Sequence, residues 1–250
     1  MPHPSPHSPN ADSLPVMGLV LGVVAAVGFS FKAILVKLAY RHGVDAETLL
    51  ALRMLFSLPF FLFMGWQGSR RAAAALGWRD WRALGLLGFS GYYLASYLDF
   101  LGLGYITAAL ERLILFAYPS IVVILSALFL GKALTQRTVV ALVMCYLGVA
   151  FAVAHDLRLS GEATEVMIGS ALVFGSAMAY ALYLMGNGQV VGRLGAARVT
   201  AWASTVACAL SIGQFLLLRP VSAFDQPWQV YGLAIAMALF STVLPIWCVS

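Results

Sequence analysis

The fold is decided by residues 83–130, which read ALGLLGFSGYYLASYLDFLGLGYITAALERLILFAYPSIVVILSALFL. This stretch is almost continuously apolar, and as a single helix it would be about 72 Å long. The hydrocarbon core of a bilayer is only about 30 Å thick, so the chain must cross it twice and turn back in between. The sequence predicts the reversal at Gly102-Leu103-Gly104, because glycine tolerates the backbone angles of a tight turn.

The rest of the chain has the same apolar character on both sides of this stretch. Of the 250 residues, 62% are hydrophobic and only 10% are charged, which excludes a soluble protein. The apolar runs are continuous rather than alternating, which favours helices over a β-barrel. We therefore expect an all-α polytopic membrane protein with about eight transmembrane helices. The predicted segments are 16–40, 48–66, 83–103, 105–130, 139–154, 166–191, 199–218 and 230–250.

The distribution of basic residues predicts the orientation, since cytoplasmic loops carry an excess of Lys and Arg. The loops after segments two, four and six contain Arg70, Arg71, Arg79, Arg82, Lys132, Arg137, Arg193 and Arg198. The other loops contain only Arg41, Arg158 and Arg219. We expect a multi-pass protein of the cytoplasmic (inner) membrane with a cytoplasmic N-terminus. These orientation signals also explain the net charge of +5, so no nucleic-acid partner is expected.

A weak internal repeat is visible when the chain is shifted by 151 residues. The shift aligns Gly18 with Gly169, Gly28 with Ala179, and Phe89-Ser90 with Phe240-Ser241. It also preserves the spacing of the segments, so that one overlays six, two overlays seven and three overlays eight. Because five is odd, the second copy would enter the membrane in the opposite orientation, which is the inverted repeat of many secondary transporters.

The repeat predicts how the chain is divided. Residues 1–14 lack the basic start of a signal peptide and are expected to form a disordered cytoplasmic tail. A first five-helix repeat is predicted at 15–154, an extracytoplasmic linker at 155–165, and a second, incomplete repeat of three helices at 166–250. A complete second copy would add two helices in about 55 further residues. We therefore expect a truncated chain, and a genuine eight-helix protein is the alternative.

Several short stretches keep a characteristic order and spacing. They are Phe31 to Leu38 (FKAILVKL), Leu52-Arg53-Met54, Pro119 followed by Leu130-Gly131-Lys132, and Gly148. With their spacing, they resemble the EamA-type transporters of the drug/metabolite transporter superfamily over about residues 16–250. The resemblance implies ten helices in two inverted five-helix repeats, two cytoplasmic termini, and export or exchange of small metabolites. Here the last two helices are lacking, and Phe29-Ser30-Phe31-Lys32 replaces the usual aromatic-and-asparagine stretch of the first helix.

Ionisable residues inside the predicted helices are the candidate site, because each is costly in a membrane unless it is paired or hydrated. Five are expected at similar depths in the outer half of the bilayer: Lys32, Arg53, Asp99, Glu111 and Arg112. Three cations and two anions predict a water-accessible cavity that favours an anionic solute. The alternative is a buried brace in which Asp99 or Glu111 pairs with Arg53 or Arg112. For Lys32, whose helix has no acidic residue, the sequence favours cavity lining.

Aromatic residues are candidates for the other part of a small-molecule site. Those expected in the helices around the centre are Tyr93, Tyr97, Tyr180, Tyr183 and Trp247. Tyr93 and Tyr97 share one helix face through their four-residue spacing. Ordinary packing or an interfacial position is the alternative for each of them.

These features predict a secondary transporter that moves a small metabolite or drug-like solute by alternating access, with export as the expected direction. Proton coupling through Asp99 or Glu111 and uncoupled exchange both stay open. An intramembrane enzyme or a non-transporting membrane scaffold is the alternative. No cofactor or metal is expected, because the histidines lie in the tail and loops and the cysteines lie singly in apolar segments. The expected partners are the solute and the lipid bilayer, and a homodimer stays open.

Overall fold

The computed structural model describes residues 16–70, 75–131, 134–160 and 162–245, and every regular element in these ranges is helical. Five helical stretches in these ranges are long and apolar enough to cross a bilayer, at Ala46–Arg70, Ala108–Phe129, Gln136–Arg158, Ala163–Leu194 and Ala196–Leu218. The protein is an all-α polytopic membrane protein, as the sequence predicts. The α-helices are α1 (Val16–Tyr40), α2 (Ala46–Arg70), α3 (Trp78–Leu87), α4 (Ala95–Tyr105), α5 (Ala108–Leu115), α6 (Tyr118–Leu130), α7 (Gln136–Ser160), α8 (Ala163–Leu194), α9 (Ala196–Leu218) and α10 (Trp228–Ala238).

Three of the eight predicted segments are interrupted helices. The third consists of α3, a π-helical stretch at Gly88–Leu94, and α4. The fourth consists of α5 and α6, which are separated just before Pro119, where proline fits the first turn of the new helix. The eighth consists of α10 and a second π-helical stretch at Leu239–Val243. The first residues of the two π-helical stretches are separated by the 151-residue offset of the repeat.

The predicted position of the reversal at Gly102-Leu103-Gly104 is wrong, because α4 continues through it to Tyr105. The chain leaves the helix at Ile106, and Thr107 starts α5 by accepting a hydrogen bond from the backbone N–H of Leu110 at 3.2 Å. Gly102 has a packing role instead. A Cβ atom on it would lie 2.6 Å from Cγ2 of Val173 and 3.0 Å from the carbonyl oxygen of Gly169. Glycine is therefore required here for the close approach of α8, not for a turn.

Helix α8 packs against α4 and the π-helical stretch that precedes it. This contact, called the α4–α8 seam below, connects the two predicted repeats at three levels. At one end, Gly102 and Gly169 face each other closely enough to exclude side chains. In the middle, the Ser176 hydroxyl donates to the carbonyl oxygen of Ala95 at 2.7 Å. At the other end, the Tyr183 ring covers Gly91 so closely that a Cβ atom there would overlap the ring. The three α8 residues are seven positions apart, which is two helical turns, so they lie on one face.

Other helices are paired in the same crossed manner. Helix α1 packs on α10 and the second π-helical stretch, while α8 packs on α4 and the first one. Helices α2 and α9, which the offset makes equivalent, pack against each other. The largest buried cluster lies where α1, α2, α4, α9 and α10 meet, and includes Leu49, Phe61, Phe100 and Met237. Helix α7 is peripheral, since no residue of its most apolar stretch is fully buried by the described chain.

Candidate functional site

Four of the five predicted charged residues form a contiguous cluster. The Nζ atom of Lys32 in α1 contacts Oδ2 of Asp99 in α4 directly and lies 3.8 Å from Oε1 of Glu111 in α5. The Nε atom of Arg112 lies 3.1 Å from Oε2 of Glu111. Lys32 thus lies between the two carboxylates, and Arg112 neutralises Glu111 from the other side. The brace predicted as the alternative exists, but it includes Lys32, for which the sequence favoured cavity lining.

The carboxylates are the most deeply buried part of this cluster. The side chains of Asp99 and Glu111 are 1% and 0% exposed, whereas those of Lys32 and Arg112 are 14% and 18% exposed. Removing one partner of a buried ion pair leaves an uncompensated charge, which is strongly destabilising. The two contacts of Lys32 therefore hold α1 to α4 and α1 to α5, whereas the Glu111–Arg112 pair lies within α5 and supplies a second positive charge to Glu111. The cations form the accessible edge of the cluster.

Arg53 in α2 is next to the cluster but is not paired with it. The residue is 4% exposed, and its guanidinium lies 4.7 Å from the centre of the Phe100 ring, beside Asp99 in the chain. Among the described residues, no carboxylate oxygen lies within 4.0 Å of its nitrogens, and its Nε atom has no hydrogen-bond partner. Of the two arginines that the sequence offered as partners of a carboxylate, the structure pairs Arg112 with Glu111 and leaves Arg53 without an ion pair among the described residues.

Local structure explains how the charged side chains are positioned. The Tyr40 hydroxyl donates to the carbonyl oxygen of Phe100 at 2.6 Å, which fixes the end of α1 against α4. At the start of α5, the Thr107 hydroxyl also donates to Oδ2 of Asp156 in α7 at 3.0 Å. The Tyr40 contact holds α1 against α4 next to Asp99, two helical turns from Lys32. The Thr107 contact holds the start of α5 four residues before Glu111.

Tyr93 and Tyr97 lie together on one face, as their spacing predicts. Their rings are nearly parallel, with centres 6.2 Å apart, and Phe89 extends the row. The Tyr93 hydroxyl donates to Oε1 of Gln214 in α9 at 2.9 Å. Both tyrosines are partly exposed, and they form a polar aromatic surface between α4 and α9.

Tyr180 and Tyr183 belong to a second group of tyrosines. This group contacts Tyr92, which precedes Asp99 by seven residues, so it lies about 10 Å from the level of Asp99 along the helix axis. Tyr180 contacts Tyr118 edge-on and stacks near Tyr183, whose hydroxyl lies 3.0 Å from that of Tyr92. Tyr183 is 4% exposed and its ring covers Gly91, so it packs between helices. Trp247, the last predicted aromatic site residue, lies outside the described residues.

Three polar or aromatic residues of this region were missed by the sequence reasoning. Tyr40 and Gln214 make hydrogen bonds between helices, and Tyr118 completes the tyrosine group. Gln214 could have been found, because it is the only amide in the otherwise apolar stretch 199–218. Tyr40 lies at the end of α1, where a tyrosine is equally typical of the membrane interface. Tyr118 lies in the middle of predicted segment four, and its sequence neighbours give no signal that distinguishes it from a packing residue.

Comparison with known proteins identifies the family of the chain. The EamA-like transporter family matches residues 16–154, which is more than half of the sequence. The chain belongs to this family. This EamA-like protein is also 28% identical over 240 residues to the uncharacterized transporter YcbK of Bacillus subtilis (strain 168), a match that covers 91% of this chain and 74% of the relative. The protein is thus a membrane transporter.

The fold of this EamA-like transporter also resembles a solved structure. A protein of known crystal structure superimposes with a TM-score of 0.59 at 19% sequence identity, covering 94% of this chain and 78% of that one. At this identity the likeness concerns the fold alone.

An ion-pair group at one end of the transporter connects the α1–α2 loop to the end of α9. The Arg219 guanidinium lies 3.0 Å from Oε2 of Glu47 and 3.6 Å from Oδ1 of Asp45. Asp45 also caps α2, since it accepts hydrogen bonds from the backbone N–H and the hydroxyl of Thr48 at 3.0 and 2.8 Å. Partial burial raises the pKa of Asp45, but the hydrogen bonds from Thr48, the interaction with Glu47 and the charge of Arg219 together outweigh the burial, so the net pKa is lowered.

We expect the charge of Asp45 to contribute to stability at neutral pH. A carboxylate whose pKa is lowered by folding stabilises the folded state above its unfolded pKa, and the contribution is lost as the pH falls through the folded pKa. Asp45→Asn should therefore lower the melting temperature at pH 7, and the difference from wild type should shrink towards pH 3. Asp225→Asn, in a loop near the same end, is the control and should show no such convergence. A constant difference at every pH would contradict the expectation.

Proposed function

We propose that this chain is a secondary transporter that carries a small metabolite or drug-like solute across the cytoplasmic membrane by alternating access, and that it exports the solute. The proposal includes a cytoplasmic N-terminus and transport without chemical change of the solute. It also includes the division into repeats at 15–154 and 166–250 with a linker at 155–165. Family membership supports the transporter; the mechanism, direction and cargo are our inference.

The observation that carries the proposal is the buried cluster of Lys32, Asp99, Glu111 and Arg112, with Arg53 beside it. A scaffold would have no need for five ionisable side chains in the membrane, since each of them costs several kcal/mol unless it is compensated. In secondary transporters such residues mark the solute or ion pathway, close to the contact between the repeats. Arg53 lies in α2, which packs on α9 where the two halves meet.

The repeat is supported by two structural correspondences. The two π-helical stretches begin at Gly88 and Leu239, which the offset aligns, and π-helical turns are frequent at functional sites. The first helix of each half also packs on the third helix of the other half. Two interlocked copies of opposite orientation would produce this crossed packing.

Transport by the purified protein in liposomes tests the proposal. Uptake of at least one solute from a panel of organic acids, amino acids, sugars and cationic drugs should saturate. Unlabelled solute on the opposite side should accelerate it, because an alternating-access carrier exchanges one bound solute for another. Asp99→Asn should lower the flux about tenfold or more, which corresponds to a free-energy difference of ~1.4 kcal/mol. The control variant Asp225→Asn should transport the solute as the wild type does.

Each alternative has a distinct result in the same assay. Conversion of a solute into a product would indicate an enzyme. The absence of flux for the whole panel would favour a scaffold, and flux that rises linearly without saturation would indicate a pore. Inverted membrane vesicles should accumulate the solute if the protein is an exporter, and accumulation only in right-side-out vesicles would reverse the proposed direction.

A further inference from the structure

Arg53 is the one cation of the charged group that no carboxylate of the described residues neutralises. Lys32 contacts Asp99 and Arg112 contacts Glu111, so both carboxylates are already paired. Arg53 has neither an ion pair nor a hydrogen-bond partner for Nε among the described residues, although it is 4% exposed. Its ordered contact is the face of the Phe100 ring, 4.7 Å from the guanidinium carbon.

The positive charge of Arg53 is only partly compensated by its surroundings. An isolated cation in the protein interior costs several kcal/mol relative to water, and a buried cation–π contact supplies about 2 kcal/mol. Asp99 interacts with Arg53 electrostatically, but it is also in direct contact with Lys32. The three cations and two carboxylates therefore leave one positive charge, and it is located on Arg53.

The face of α9 that contacts the neighbour of Arg53 carries a thiol and a hydroxyl group. Its neighbour Met54 accepts a contact from the thiol of Cys208 in α9, with 3.7 Å between the sulfur atoms. Ser211 follows Cys208 by three residues and so shares its helix face. Ser211 is buried, and its hydroxyl has no hydrogen-bond partner among the described residues. A guanidinium and a hydroxyl can each donate to one or both oxygens of a carboxylate.

The position of Arg53 also suits a solute site. It lies in the α2–α9 pair, where the two halves meet and where secondary transporters bind their solutes. The residue that the offset aligns with Arg53 is Ser204, which is neutral. The charge is thus present in one half only, which predicts a single anion site per chain rather than two symmetric ones.

We propose that Arg53 binds the carboxylate of the solute, so that the cargo is a carboxylate-bearing anion, and that Ser211 provides a second hydrogen bond. The Lys32–Asp99 and Lys32–Glu111 pairs hold together the helices that position Arg53, and they do not themselves bind the solute. The statement about cargo rests on the proposed transport function, whereas the binding site can be tested without transport.

Binding is measured on the purified full chain in detergent with pairs of probes that differ only in charge. The probes are benzoate and butyrate, with benzamide and butyramide as their neutral counterparts. Ligands that bind only the folded state raise the melting temperature in a concentration-dependent way. We expect the two carboxylates to raise it and the two amides to have no effect at the same concentrations.

Variants assign the effect to one residue. Arg53→Gln should weaken carboxylate binding about tenfold to a hundredfold, because a charge-assisted contact is lost. Arg53→Lys keeps the charge but loses the bidentate fork, so it should bind with intermediate affinity, and it provides the test if Arg53→Gln does not fold. Lys37→Gln removes a positive charge from α1 outside the group and should bind as the wild type does.

The outcomes separate this proposal from the transport function. Equal stabilisation by acids and amides, or unchanged binding in both Arg53 variants, would overturn it even if saturable flux of a neutral solute were found. Stabilisation by chloride alone that carboxylates cannot displace would mean a structural anion site and would also overturn it. Arg53-dependent carboxylate binding without flux of any solute would support the site and contradict the transporter.

Discussion

Replacement of Lys32 with methionine is expected to lower the free energy of unfolding by about 3–5 kcal/mol, the usual consequence of removing one partner from a buried ion pair. Asp99, which is 1% exposed, would lose its direct contact, and Glu111 would lose the cation 3.8 Å from it. Methionine retains the length and apolar stem of lysine, so lost packing is small. The measurement is denaturant unfolding of the purified protein in detergent.

A double variant separates charge pairing from packing. Lys32→Met/Asp99→Asn removes both charges and should recover most of the lost stability, since the neutral amide is much less costly to bury. Lys37→Met on the same helix is the matched control, because Lys37 makes no ion pair with the described residues, and it should unfold like the wild type. If Lys32→Met and Lys37→Met have equal stabilities, the cluster does not hold the helices together.

Replacement of Gly91 with alanine is expected to destabilise the protein by about 1–3 kcal/mol through overpacking. The added Cβ would overlap the Cβ, Cγ and Cδ2 atoms of Tyr183, which lie next to the α8 backbone and cannot rotate away. The Tyr183 hydroxyl is 3.0 Å from that of Tyr92, so displacement of the ring also breaks this contact. Thermal unfolding of the purified variant measures the loss.

Gly85→Ala in the same interrupted helix is the matched control. Apart from its chain neighbours and the backbone of its own helix, no described atom would lie within 4 Å of a Cβ atom at Gly85. This substitution should therefore stabilise the helix by up to about 1 kcal/mol, because alanine has the higher helix propensity. A Gly91→Ala variant as stable as Gly85→Ala would show that α8 can move away from Gly91 freely.

The depth of the charged residues was predictable from the sequence, but their partners were not. Counting residues from the helix ends places Lys32, Asp99 and Glu111 at similar levels, and the structure brings them into contact. The choice between Lys32 and Arg53 as the partner of Asp99 depends on helix rotation and on side chains several ångströms long. A one-dimensional pattern contains neither, so the sequence left Arg53 and Arg112 open as partners and did not predict the Lys32–Asp99 contact.

The glycine-rich stretch of α4 shows the same limit for the backbone. Gly102 and Gly104 are typical of a turn in the sequence, yet Gly102 makes room for α8 at Gly169, and the chain turns two residues beyond Gly104. Local propensity identifies glycine as permissive, but only the partner helix determines whether that freedom serves a bend or a close approach. The existence of a reversal was predictable because the bilayer sets the length of each crossing.

The α4–α8 seam has a mechanical consequence. Its contacts at Gly169, Ser176 and Tyr183 extend over about 21 Å of α8 and fasten a helix of one half to a helix of the other. Moving residues 15–154 as one rigid block away from residues 166–245 would have to break all three. We infer that α4 and α8 move together as one rigid pair. The boundary between the parts of the protein that move then lies within each predicted repeat and not between the two repeats.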